Sequence, residues 1–270
     1  MTGSGARAPM TRGAWLAVLL LAAGAGAAER DFPYTWTSRT TAEGAREVEG
    51  WLTARIGRVT DDQAWTEVHA ALSAGLLTGL ELQSALDVTV ASTAFTSSSE
   101  PRVAAQLRWA PLTADGVLGL GAAFRTSLGV DVLELELRLL ADKQLGRLLL
   151  AVNAAASRRL FWSGRTGPET HLEETAALRY ALGAVASFGL ELRLQSAFLG
   201  SDYQGTGIYV GPTFTFRAPG FWVSLGALAQ VAADKAPADR GNGQPLELRD
   251  NERFLLRLAL GTEAVLAPGR

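Results

Sequence analysis

The 270-residue chain contains no cysteine, which excludes a disulfide framework, a thiolate nucleophile and any cysteine-held zinc. It has two histidines, His69 and His171, and neither belongs to an H-x-x-x-H or H-E-x-x-H spacing, so a metal-catalytic centre has no ligand set to start from. It has no basic excess: 25 Lys and Arg against 27 Asp and Glu give a net charge of -2, the wrong balance for neutralising nucleic-acid phosphates. Beyond residue 28 it lacks any uninterrupted apolar run of the roughly 20 residues that a spanning helix needs. With 48% hydrophobic residues it is nevertheless no disordered polymer, and its length suits one sizeable domain or one small barrel.

What is present begins with a targeting pattern. Arg7 and Arg12 precede an apolar stretch from Ala14 to Ala23 and then the small residues Gly24 to Ala28. This order predicts a secretory signal peptide over 1–27, cut after Ala27 with Ala25 and Ala27 as the small pair, with a cut after Ala28 as the alternative. The expected layout is then a periplasmic N-terminal segment at 28–43 and a membrane-embedded domain at 44–270. With helices excluded, only a closed barrel satisfies its own backbone hydrogen bonds in lipid.

Strict alternation supports that architecture. In Leu133-Glu134-Leu135-Glu136-Leu137-Arg138-Leu139 every second residue is leucine and the residues between are charged. A strand sends these to opposite faces, whereas a helix would scatter the charges around its circumference. The period recurs at 80–83, 190–195 and 256–258. It overrules the alanine and leucine content that would otherwise favour helices around 64–86 and 172–198. Twelve strands are predicted, near 45–57, 63–75, 78–91, 101–110, 116–128, 131–140, 145–157, 172–182, 185–199, 206–217, 221–233 and 252–265. Tight turns alternate with longer loops at 92–100, 158–171 and 234–251, as in an all-β, antiparallel, up-and-down transmembrane barrel of the bacterial outer membrane.

The leucine rows are expected to face lipid, and the charged set to face the lumen. An inside-out distribution of this kind separates a membrane barrel from a soluble one. The lumen-lining candidates are Glu47, Glu49, Arg55, Glu81, Arg108, Glu134, Arg138, Arg193 and Arg257, with Arg147 and Arg253 among further inward arginines. Trp109, Phe216, Phe221 and Trp222 beside the short turns, with Trp65 near an outer loop, are expected to form interfacial girdles.

The segment Glu43-Gly44-Ala45-Arg46-Glu47-Val48-Glu49-Gly50-Trp51-Leu52-Thr53, together with Gly211-Pro212-Thr213-Phe214 and the run from Phe221 to Gln230, resembles a poorly characterised family of outer-membrane β-barrels whose first strand reads E-x-E-x-W-x-T. The resemblance implies a barrel without assigned catalysis, described as a transporter by analogy. The chain departs from the usual barrel ending: it finishes Ala267-Pro268-Gly269-Arg270, without a terminal aromatic residue.

No residue is predicted catalytic and no cofactor is implied. His69 and Ser73 share a strand face, as a lipid hydrolase would need, but four strand residues separate them by about 13 Å, too far for a shared hydrogen bond. Gly116, Gly119 and Gly121 lack the following helix of a nucleotide loop. The leading functional expectation is a narrow channel or transporter for small solutes, contacting outer-membrane lipid. The alternative is a closed structural or adhesive barrel whose outer loops meet a partner, with a lipid hydrolase third.

Overall fold

A computed structural model of the protein describes residues 30–58, 64–92, 97–114, 116–163, 167–236, 245–248 and 251–264. The expected signal peptide, the C-terminal tetrapeptide and parts of the long loops lie outside the described residues. Twelve strands are formed: β1 (Arg46–Ile56), β2 (Ala64–Leu77), β3 (Leu80–Ser92), β4 (Ser97–Leu112), β5 (Gly119–Leu128), β6 (Val132–Leu145), β7 (Leu148–Phe161), β8 (Glu169–Ala181), β9 (Ala186–Leu199), β10 (Asp202–Ala218), β11 (Phe221–Lys235) and β12 (Phe254–Ala264). Each pairs antiparallel with its sequence neighbours, and β1 pairs with β12 from Arg46↔Ala264 to Ile56↔Phe254, closing the barrel. No helix among the described residues is long and apolar enough to cross a membrane.

Alternation sets the two faces. Leu135, Leu137 and Leu139 on β6 are exposed on the outside, while Arg138 between them is buried within. The outer surface carries leucine, valine and phenylalanine on strand after strand, and the buried set inside is rich in Glu, Gln, Ser, Thr and Arg. Register places opposite charges side by side across the inner wall, with Glu81 facing Arg108, Arg125 facing Glu136 and Glu134 facing Arg159.

Several strands run further than alternation indicated. β6 continues through Lys143 and Gln144, so the tight turn falls at Gly146, whose φ of 61° suits glycine, rather than at 141–144. β4 begins at Ser97, ahead of Pro101, and β7 and β8 extend into the predicted loop 158–171. Arg147 and Arg253 are corrected: both are exposed, one in the β6–β7 turn and the other just before β12. Two aromatic assignments change as well. Trp109, Phe216 and Phe221 are exposed on the outer surface, but Trp222 is buried, with its indole N–H donating to Glu47 Oε1 at 3.0 Å. Adjacent residues on a strand point to opposite faces, so Phe221 and Trp222 cannot both face lipid. Trp65 likewise lines an internal cavity, beneath the Arg58 guanidinium.

Candidate functional site

The lumen has two ends. One carries the start of β1, the end of β12 and the short turns, and is termed the terminal end; the other carries the longer connections and is termed the loop end. The residues before β1, expected as a periplasmic segment, run through the lumen at the terminal end. From Arg30 to Ala42 this segment forms no strand, yet residues 31–38 and Thr41 are buried.

Wall side chains hold it by its backbone. The Tyr34 and Thr35 amides donate to Glu191 Oε1 at 3.2 and 2.7 Å, and the Trp36 amide donates to Asn153 Oδ1 at 2.7 Å. Asn153 Nδ2 returns a bond to the Trp36 carbonyl at 2.9 Å. The Ser38 amide donates to Asp142 at 3.0 Å and the Thr41 amide to Glu81 at 2.7 Å. Asp31 is the anchor: its fully buried carboxylate pairs with Arg179, with Arg217 at 2.6 Å and with Arg39 at 3.7 Å. Buried polar backbone must find partners, and here the inward residues of β3, β6, β7 and β9 supply them.

The aromatic residues of the segment repeat every second position, and each enters its own socket. Phe32 packs with Leu149, Ala114, Ala151 and Ala177; Tyr34 with Tyr209, Leu228 and Leu255; Trp36 with Ala123 and Leu140. Burying such a side chain contributes about 2 kcal/mol. Guanidinium groups complete the sockets, with Arg257 over Tyr34 at 4.3 Å and Arg30, Arg108 and Arg138 over Trp36 at 5.0, 5.3 and 5.3 Å. Two glycines make room. A side chain at Gly75 would collide with the carbonyls of Thr41 and Ala42, and a Cβ at Gly226 would lie 2.9 Å from Pro33 Cγ.

Towards the loop end the described residues enclose a wider space. A cavity of about 450 Å³ is walled by Arg55, Arg58, Arg102, Arg159, His171 and their carboxylate partners. A smaller one of about 210 Å³ shares Arg102, Glu134, Arg138 and Arg193 with it and is bounded by Tyr34 and Trp36 of the segment. On the terminal side of Trp36 lies a cavity of about 20 Å³, room for about one water. The internal segment thus forms a floor across the barrel.

The nine residues proposed to line a channel all face inward, in two groups. Arg55, Glu134, Arg138 and Arg193 border the large cavity. There Glu173 bridges Arg138 (2.9 Å) and Arg193 (2.5 Å), Glu134 bridges Arg102 (2.9 Å) and Arg159 (3.0 Å), and Glu252 bridges Arg55 (2.6 Å) and Arg58 (2.7 Å). Burial alone would raise the Glu252 carboxyl; the two guanidinium groups reverse this and hold it below the usual carboxylate range. Arg257 lies beside the segment, donating to the Pro33 carbonyl at 3.2 Å. Glu47, Glu49, Glu81 and Arg108 belong to the floor, where Glu49 takes Arg30 at 3.2 Å and Glu81 takes Arg108 at 2.5 Å. Sequence reasoning missed the partners contributed by the segment itself, although the spacing Phe32-x-Tyr34-x-Trp36 was a visible signal.

His69 and Ser73 are not joined. His69 Nδ1 contacts Asp87 at 2.5 Å and its ring stacks on Trp51 at 3.3 Å, while Ser73 Oγ accepts from Gln83 at 3.0 Å.

The architecture has solved counterparts. The KdgM porin in complex with disordered oligogalacturonate superimposes with a TM-score of 0.53 at 10% identity, covering 80% of this chain and 98% of that one. The beta domain of the Bordetella autotransporter BrkA gives a TM-score of 0.52 at 12% identity over 81% and 98%. These likenesses establish the fold, that of outer-membrane porin barrels. No curated protein matches the sequence. Of the two sequence regions that carried the family resemblance, residues 211–230 fall within the matched stretch and residues 43–53 do not. Residues 130–264, half of the chain, match the family of unknown function DUF6662, and the chain belongs to that family.

Proposed function

We propose that the protein is an outer-membrane channel for small polar solutes, entered from the loop end and constricted by its internal segment. The observation that carries this reading is the cavity of about 450 Å³ at the loop end, walled by arginine–carboxylate webs inside a closed barrel. Hydrated, mixed-charge walls of this kind favour passage of small charged or zwitterionic solutes and exclude apolar ones. Arg55, Glu134, Arg138 and Arg193 are the proposed selectivity-setting side chains. Glu47, Glu49, Glu81, Arg108 and Arg257 are assigned to holding the floor. The KdgM porin, a barrel of this fold, has a structure in complex with disordered oligogalacturonate, which supports a solute-binding reading.

A closed structural barrel is the second reading, favoured by the floor and by the inward fold of Glu247, Asn251 and Glu252 at the loop end. Planar-bilayer recording on the purified, refolded full chain separates the two. Discrete current steps, at rest or in mild urea that competes for the segment's hydrogen bonds, support the channel. Silence under both conditions supports the closed barrel.

A further inference from the structure

We infer that the terminal half of the lumen is a binding site for an extended polypeptide, occupied here by the chain's own residues 30–42. The ligand it takes is a peptide with an acidic residue followed by aromatic residues at alternate positions, the pattern of Asp31, Phe32, Tyr34 and Trp36. The inference goes beyond the channel reading, and it rests on that reading only for its effect on current.

The grounds are in how the segment is held. A structural strand would join the sheet ladder, but among the described residues this segment meets it through one isolated bridge, Glu43↔Gly75, just past its end. Everything between is held the way receptors hold peptides: carboxylate and amide side chains read successive backbone N–H groups, and separate sockets read alternate side chains. Glu191, Asn153, Asp142 and Glu81 sit on four different strands and take the amides of Thr35, Trp36, Ser38 and Thr41, so the wall presents acceptors in the order of the segment. Asp31 adds polarity to the path, because its carboxylate fits only where Arg179 and Arg217 converge. Nothing in this recognition requires covalent continuity with β1; the tether only raises the local concentration of one occupant. A free peptide of the same chemistry therefore competes for the same groove, and loss of the resident segment joins the two sides of Trp36.

The test uses the full chain. A fluorescein-labelled peptide of residues 30–42 is titrated into detergent-solubilised wild-type protein and followed by anisotropy. Saturable binding, displaced by unlabelled peptide and weakened about 100-fold when the three aromatic residues are replaced by serine, is expected. The protein has no cysteine, so Pro33→Cys with Gly226→Cys introduces a unique pair. Pro33 Cβ lies 3.2 Å from where a Cβ at 226 would stand, a few tenths of an ångström from disulfide range. Because a side chain at 226 crowds Pro33, the peptide used with this pair carries Pro33→Gly; oxidation of the pair should abolish its binding and reduction should restore it. Absence of binding to both wild type and the reduced pair, or equal binding to the oxidised form, overturns the inference. Conductance on the same samples separates the readings. Peptide exchange without current in any state leaves the site standing and removes the channel, whereas current without peptide binding in any state leaves the channel standing and removes the site.

Discussion

The two halves of one lumen are built on opposite principles. At the loop end, charge meets charge: carboxylates such as Glu173 and Glu134 each bridge two arginines around open space. At the terminal end, wall side chains meet backbone and aromatic rings, and the cavity beyond Trp36 has room for about one water. The first arrangement keeps its groups hydrated and exchangeable with ions; the second removes water and holds a polypeptide. A single inside-out barrel thus contains a wet compartment suited to solutes and a dry one suited to packing.

The comparison can be broken most strongly at Trp36. Trp36→Ala empties its socket and joins the spaces on either side, at a cost of about 3–5 kcal/mol. Unfolding in urea should shift accordingly, and bilayer current should rise. An unchanged current together with a large stability loss would show that the floor is packing alone. Next, Glu191→Leu removes the acceptor for two buried amides and should cost about 2–4 kcal/mol, with increased protease access to residues 30–42. In the wet compartment the effect should appear in selectivity instead. Glu173→Gln leaves Arg138 and Arg193 facing a neutral group, so the reversal potential should move towards anion preference, while stability falls by only about 1–2 kcal/mol.

The smallest effect concerns Glu252 at the loop end. Its carboxyl is held below its usual value when folded, so its contribution is present above the unfolded value and lost as pH falls through the folded one. Acid titration of stability should show this step in wild type, and Glu252→Gln should lack it while leaving the terminal half unaffected.

The division between legible and illegible residues follows from periodicity. Leu133 to Leu139 announced a two-faced strand because every residue obeyed one rule. The same rule, applied to Phe221 and Trp222, would have sent the second inward; proximity to a turn misled where parity was sufficient. Glu81 was legible as inward-facing but not as a peptide-binding carboxylate, since its partners Thr41 and Arg108 come from separate elements. Residues 30–42 alternate only across Phe32, Tyr34 and Trp36 and carry no helical period, so they read as a periplasmic segment outside the barrel.

Alternation alone therefore determined that this chain builds a closed barrel with an apolar exterior, a charged interior and twelve strands, because side-chain direction in a strand is a local property repeated at every residue. Only tertiary structure decided what fills that interior. Sockets for Phe32, Tyr34 and Trp36 are assembled from β5 to β8, β10 to β12 and the β4–β5 turn, and no local pattern on any one of them records that a segment from outside the sheet will complete it.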